Sequence, residues 1–208
     1  MKILVVDDHV ILRKGLIQIL LQEYPDANVV EAGNSGEAYR EMKKQVWDLI
    51  LLDISMPGQS GIDILKQIRA EENKVPVLML SMHPESQYAV RALKVGASGF
   101  LNKQSATEEL INAVKKVLAG KKYITPSVAE SLLDNLGGEG VKQSHEELSD
   151  REMQVLLLLA SGKAVSEIAN EIALSSSTVS TYRMRILEKL GLKNNAELTR
   201  YALDNNLI

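Results

Sequence analysis

The chain of 208 residues contains no cysteine. That absence excludes a disulfide scaffold, a thiolate zinc site and a cysteine nucleophile together, and it fits a reducing, cytoplasmic setting. Long apolar runs are missing too. Stretches such as Leu49–Leu52 and Val155–Ala160 fall far short of the roughly 18 residues a membrane span requires. At the start, Met1-Lys2-Ile3-Leu4-Val5-Val6 is closed by Asp7 and Asp8 before the core of a secretory signal could form. Nor does charge of one sign dominate: 24 Lys and Arg against 27 Asp and Glu give a net charge of −3. A mildly acidic balance argues, at first sight, against nucleic acid as a partner. The remaining composition, 45% apolar and 25% charged, is that of an ordinary folded soluble protein. Its length allows one large domain or two modest ones.

The first 120 or so residues alternate short apolar runs with helical patterns. The runs Ile3–Val6, Val29–Val30, Leu49–Leu52, Val77–Leu80 and Gly99–Leu101 are rich in Val, Ile and Leu, as strands buried on both faces should be. Amphipathic stretches near 9–22, 35–44, 61–72, 86–95 and 107–119 lie between them. Asn34 with Glu37 and Ser105 with Glu108 have capping-box spacing, and Gly96 and Gly120 stand where helices should stop. Five such units predict an α/β doubly wound, five-stranded parallel sheet of order 2-1-3-4-5 with helices on both faces.

After Gly120 the pattern changes. Pro126 opens a short helical stretch to about 136, and Gly137–His145 is polar and glycine-rich, as a flexible linker is. The last 60 or so residues read as four short helices, about 150–161, 166–172, 176–190 and 195–204. Ser149 with Glu152 makes another capping box, Ser175 is an N-cap, and Gly162 and Gly191 are stop signals. The expected organisation is an α/β domain over 1–120, a linker with one short helix over 121–147, and a small all-α domain over 148–208.

Ligands of an open parallel sheet bind beyond the carboxyl ends of its strands, where strand order reverses. Asp7 and Asp8 follow the first run and Asp53 follows the third, so three carboxylates converge at that point. Carboxylates this close repel one another unless a cation joins them, and an oxygen-seeking divalent ion such as Mg²⁺ suits the set. Ser81 after the fourth run and Lys103 after the fifth add a hydroxyl and an ammonium. Together these groups are what a phosphoryl group on a carboxylate would need.

The segments Val5-Val6-Asp7-Asp8-His9, Leu51-Leu52-Asp53-Ile54-Ser55-Met56-Pro57-Gly58, Leu80-Ser81 and Gly96-Ala97-Ser98-Gly99-Phe100-Leu101-Asn102-Lys103 resemble the receiver domain of two-component response regulators. The resemblance implies that Asp53 is the phosphoacceptor, served by a sensor histidine kinase. It also implies that Asp8, Asp53 and the Ser55 backbone carbonyl ligate Mg²⁺, with Asp7 acting through water. Ser81 and Lys103 would bind the phosphoryl group. Phe100 takes the place of an aromatic switch residue, but without the hydroxyl of the tyrosine often found there; a plain core aromatic is an equal reading. Gln104 stands where many receivers have proline.

In the last domain, Val165–Ile172, the turn Ala173-Leu174 and the helix after Ser175 have helix-turn-helix spacing. Placed at 100° steps, Val179, Ile186 and Leu190 share one face, flanked by Tyr182, Arg183 and Leu187. The opposite arc holds Ser177, Thr181, Met184, Arg185 and Glu188, with Thr178 and Ser180 at its edges. The window 175–193 carries Arg183, Arg185, Lys189 and Lys193 against Glu188 alone, so local charge departs from the acidic average. A solvated helix face fits this pattern as well as a nucleic-acid surface does.

Leu148-Ser149-Asp150-Arg151-Glu152-Met153-Gln154-Val155-Leu156, Glu167-Ile168-Ala169, Thr178-Val179-Ser180 and Glu188-Lys189-Leu190-Gly191 resemble the LuxR-type helix-turn-helix of NarL/FixJ regulators. That resemblance implies a DNA-binding homodimer with the third helix in the major groove. Ser180, Thr181 and Met184 would face base edges. The small hydroxyl-bearing residues at the start of the helix, Ser177 and Thr178 among them, suit close phosphate approach on their own chemistry. Arg183, Arg185 and Lys189 would mostly serve phosphates. Many relatives have a basic residue where Ser180 and Met184 stand, so direct readout here would lean on methyl contacts, Arg185 or DNA shape. Leu198, Tyr201 and Ala202 have i, i+3, i+4 spacing, either an internal packing stripe or the dimer seam. The combined expectation is a transcription regulator whose phosphorylation changes domain packing and dimerisation, and with them operator binding. The rival is a Mg²⁺-dependent phosphatase with Asp53 as nucleophile, but Ser55 stands where the haloacid dehalogenase pattern wants its second Asp.

Overall fold

The computed structural model describes residues 1–57, 59–82, 85–137, 144–205 and 207–208. The chain divides into two compact units, Met1–Leu136 and Gly137–Ile208. The stretch expected as a linker, 121–147, is shared between them. Tyr123 packs into the core of the first unit, α6 (Pro126–Gly137) follows it, and Ser144–Glu147 forms a short 3₁₀ turn. Residues 138–143 of the expected flexible stretch lie outside the described residues.

The first unit is a five-stranded, all-parallel sheet ordered β2-β1-β3-β4-β5, as the alternation of runs and helices predicts. Its strands are β1 (Lys2–Val6), β2 (Asn28–Ala32), β3 (Leu49–Asp53), β4 (Val77–Ser81) and β5 (Gly99–Asn102). The connecting helices are α1 (Val10–Glu23), α2 (Ser35–Lys44), α3 (Gly61–Ala70), α4 (Glu85–Val95) and α5 (Ala106–Leu118). Every residue of β3 and β4 is buried, whereas the edge strand β2 is mostly part-exposed. Aliphatic strands covered on both faces account for the unbroken apolar runs.

Successive side chains of a strand point to opposite faces. Ile3, Val5, Leu49, Leu51 and Leu101 pack on Leu16 and Leu20 of α1 and on Leu110, Ala113, Val114 and Val117 of α5. Asp7 and Lys103, just past the ends of β1 and β5, and Asp53, the last residue of β3, continue the same two-residue register. The alternation that builds the core therefore delivers the polar groups to one side of the sheet.

Two capping expectations need revision. Asn34 accepts from Glu37 N at 2.9 Å, but the Glu37 carboxylate accepts from Gly33 N at 2.7 Å, not from Asn34. Ser105 does not cap α5: its backbone is already near-helical (φ −94, ψ −2), and its hydroxyl donates to Asn102 O at 3.2 Å. Gly96 and Gly120 adopt φ of 110° and 74°, the left-handed region where glycine alone escapes a Cβ penalty.

The second unit is helical: α7 (Asp150–Ala160), α8 (Val165–Glu171), α9 (Ser176–Leu190) and α10 (Asn195–Asp204). Ser149 and Glu152 form the full capping box, and Ser175 accepts from Thr178 N at 3.1 Å. Gly162 and Gly191 carry φ of 88° and 67° at helix ends. Helix α9 buries Val179 and Ile186, the face that 100° steps select.

Candidate functional site

Asp7 and Asp53 are fully buried at the ends of adjacent strands. Lys103, itself almost fully buried, lies between them, with Nζ 2.8 Å from Asp7 Oδ2 and 2.9 Å from Asp53 Oδ2. Ser55 N donates to Asp53 Oδ1 at 3.2 Å, bringing the Ser55 backbone beside the carboxylate. Asp8 is partly exposed, and its Oδ1 is 2.8 Å from His9 Nδ1. Ser81 is fully buried at the end of β4, and its carbonyl accepts from Lys103 N at 2.8 Å. The loops after β4 and β5 are thereby tied together at the site.

Ligand atoms of Asp7, Asp8, His9 and Asp53 all lie within 4.8 Å of one another. Three carboxylates against one ammonium leave an excess of two negative charges in a largely buried space. Burial pushes the Asp53 carboxyl up to about 6; Lys103 opposes this, and the neighbouring Asp7 adds to it. A small divalent cation removes both the charge excess and the repulsion, and the oxygen-rich donor set matches that ion class. The residues therefore fit such a cation.

Phe100 is almost fully buried in β5 and pairs in register with Met79, a packing role that accounts for its position. His9, Arg13 and Gly61 carry parts of the site that sequence reasoning gave no role. Arg13 Nη1 donates to the Asp7 carbonyl, and its Nε donates to Glu31 Oε2 at 2.9 Å, bracing the Asp7–Asp8 turn against β2. A Cβ on Gly61 would stand 2.0 Å from the Asp53 carbonyl oxygen, so α3 starts hard against the end of β3. His9 was legible as the residue next to Asp8. Arg13 and Gly61 left no local pattern.

In the second unit, Ser177, Ser180, Thr181, Met184, Arg185 and Lys189 are exposed on α9, and Thr178 is part-exposed. Ser177, Thr178, Thr181, Tyr182 and Arg185 line one open depression of about 270 Å³. Two of the expected phosphate-binding cations have partners within the unit. Arg183 Nε donates to Asn195 Oδ1 at 2.6 Å, and Lys189 Nζ lies 2.6 Å from Glu152 Oε2.

Glu152 loses hydration on burial, but Lys189 and the Ser149 hydrogen bonds outweigh that loss and hold its carboxyl below the usual range. The pair therefore stabilises the fold above the ordinary carboxyl value of 4.5, and the contribution is lost as pH falls through the depressed value. Lys189→Ala is expected to cost about 1 kcal/mol near neutral pH, the upper range for a partly exposed pair. Urea unfolding across the acid range would check this: a cost that stayed constant down to full protonation would contradict the pairing.

The fourth-helix expectation needs correction. Leu198 and Ala202 are fully buried, with α10 packed on α7 within the unit, so they form the internal stripe and have no surface left for a dimer seam. Tyr201 is also engaged: its hydroxyl accepts from His145 N at 3.2 Å and lies 3.0 Å from His145 Nδ1. Sequence spacing could not separate the two readings, because both want apolar residues at i, i+3, i+4.

Among the described residues, no helix is long and apolar enough to cross a membrane. Residues 3–115 match the response regulator receiver domain family, and residues 146–202 match the bacterial regulatory proteins of the luxR family. The chain is 32% identical over 207 residues to the response regulator UvrY of Escherichia coli K12, covering 99% of this chain and 94% of UvrY. It is 34% identical over 216 residues to the oxygen regulatory protein NreC of Staphylococcus carnosus, covering 100% and 99%. A solved structure of RcsB from Salmonella enterica serovar Typhimurium, bound to promoter rprA in the presence of phosphomimetic BeF₃⁻, aligns with a TM-score of 0.64. That alignment has 29% identity over 97% of each chain. With a receiver fold followed by a LuxR-type helical unit, the chain belongs to the NarL/FixJ family of two-component response regulators, which are DNA-binding transcription regulators.

Proposed function

We propose that Asp53 accepts a phosphoryl group from the phosphohistidine of a sensor kinase, and that this modification controls promoter binding through α9. The carrying observation is the buried Asp7–Lys103–Asp53 bridge at the ends of three strands. Asp8, Asp53 and the Ser55 carbonyl would hold Mg²⁺, with Asp7 acting through water. When bound, Mg²⁺ neutralises the charge excess and attracts phosphoryl oxygens. One Asp53 oxygen attacks phosphorus, the histidine nitrogen leaves, and the chain gains a group with more negative charge and new acceptor oxygens.

Lys103 then pairs with a phosphoryl oxygen, and the Ser81 hydroxyl donates to another. Ser81 ends β4 and Lys103 follows β5, and the two are joined through the Lys103 N–H to Ser81 carbonyl bond, so the charge change is delivered to α4 and α5 together. Phe100, lacking a hydroxyl, contributes burial to this switch and no outward hydrogen bond. Hydrolysis of the aspartyl phosphate resets the chain. No separate substrate is turned over, and Ser55 supplies no acid/base for a phosphatase cycle.

Output is binding of a homodimer to promoter DNA in the cytoplasm, with the exposed face of α9 in the major groove. The likeness to RcsB, whose structure holds promoter DNA and a phosphomimetic, supports this reading. Labelling the full chain with radioactive acetyl phosphate and Mg²⁺ tests it. The wild type is expected to gain one acid-stable, base-labile phosphoryl group, and Asp53→Asn none. Undiminished labelling of Asp53→Asn would overturn the assignment.

A further inference from the structure

The charge on α9 is less available than the sequence suggests. Arg183 is held by Asn195 and Lys189 by Glu152. Arg185 is exposed and has no hydrogen-bond or ion-pair partner among the described residues. It lies one turn beyond Thr181, and both line the same open depression. One guanidinium on this helix is thus ready to engage a ligand without breaking an existing bond.

The neighbouring groups narrow what that ligand is. The Thr181 hydroxyl donates to Ser177 O at 2.9 Å, so the exposed remainder of the side chain is its methyl. Met184 is 65% exposed and wholly apolar at its tip. The hydroxyls of Ser177 and Thr178 both lie 2.8 Å from that of Ser175 and are engaged locally. Glu188, three residues past Arg185, is exposed and repels a phosphate there. In the major groove, a guanidinium fits guanine O6 and N7 bidentately, and apolar side chains fit the thymine methyl.

We infer that Arg185 is the specificity-determining residue of α9: it reads one guanine per half-site, while Thr181 and Met184 contact the methyls of neighbouring thymines. This inference rests on the reading that α9 enters the major groove. It makes Arg185 a base reader, whereas a phosphate-binding residue would carry no sequence information.

Selection from randomised duplexes of about 20 base pairs, long enough for two half-sites, tests it with the full chain treated with acetyl phosphate. The wild type is expected to enrich a motif with one guanine per half-site beside A·T pairs. Arg185→Ala should lose preference at that position alone, by roughly 5- to 150-fold against the wrong base. Arg185→Gln should move the preference toward adenine, which a glutamine amide reads bidentately. Replacing the guanine by its deaza analogue lacking N7 should weaken the wild type and leave Arg185→Ala unaffected.

A variant Arg185→Ala that binds every duplex more weakly, with an unchanged motif and a shallower salt dependence, would make Arg185 a phosphate contact and overturn the inference. A motif without guanine would also overturn it. If the wild type enriches no motif and retains no duplex, the DNA-binding reading itself fails.

Discussion

Lys103→Met is expected to destabilise the metal-free chain by about 3–5 kcal/mol near neutral pH, the range for removing one partner of a buried ion pair. The reason is the company Lys103 keeps. It is the cation within 3 Å of two fully buried carboxylates, and methionine would leave both without a neutralising charge. Asp53 already pays for its position, since burial pushes its carboxyl from 3.8 to about 6.

The direction of the pH dependence follows. Between these values the folded state binds the proton more tightly than the unfolded chain does, so stability falls as pH rises across that window. The wild-type penalty is of the order of 3 kcal/mol when the window has been crossed. Without Lys103 the fall should be steeper and extend to higher pH. Urea midpoints from pH 4 to 8, with chelator present, would read this directly. Adding Asp53→Asn to Lys103→Met should recover much of the loss, and adding Mg²⁺ should recover part of it. Equal stabilities for wild type and Lys103→Met near pH 7.5 would contradict the charge accounting.

Gly61→Ala should be nearly as damaging, although it adds one methyl. That carbon would meet the Asp53 carbonyl oxygen at 2.0 Å and its carbonyl carbon at 2.9 Å. Both are backbone atoms at the end of β3, so no rotamer change relieves the clash. The Gly61 N–H also donates to Ile54 O at 2.9 Å, and separating α3 from β3 would break that bond. The expected cost is about 3 kcal/mol, the upper end for overpacking, with phosphorylation at Asp53 slowed as well. Gly36→Ala is a suitable control, since its new carbon meets only the Asn34 side chain at 3.4 Å. A Gly61→Ala chain as stable as that control would sink the prediction.

Why some of this was legible and some not can be traced to particular residues. Strand runs such as Leu49–Leu52 announce both their conformation and their burial, because aliphatic continuity is the physical condition for a central parallel strand. Asp7, Asp53 and Lys103 were legible as strand-end residues for the same reason. Helix ends were legible where a glycine with positive φ or a Ser–Glu box is a local necessity, as at Gly191 and Ser149.

The misses are all relational. Ser105 has capping-box spacing, but the end of β5 turns its hydroxyl toward Asn102. Gly61 is special only because β3 passes within touching distance. Counting α9 as a helix with three freely available cations ignored Asn195 and Glu152, which reach Arg183 and Lys189 from other helices. Leu198 and Ala202 were ambiguous because inside and interface ask for the same side chains.

The His145–Tyr201 contact has a mechanical consequence. The His145 amide donates to the Tyr201 hydroxyl and the imidazole lies beside it, so the short turn before α7 is pinned to α10, the last helix of the chain. The start of the helical unit thus has its anchor some 56 residues further along the sequence, and a fragment cut at Leu148 would discard that anchor.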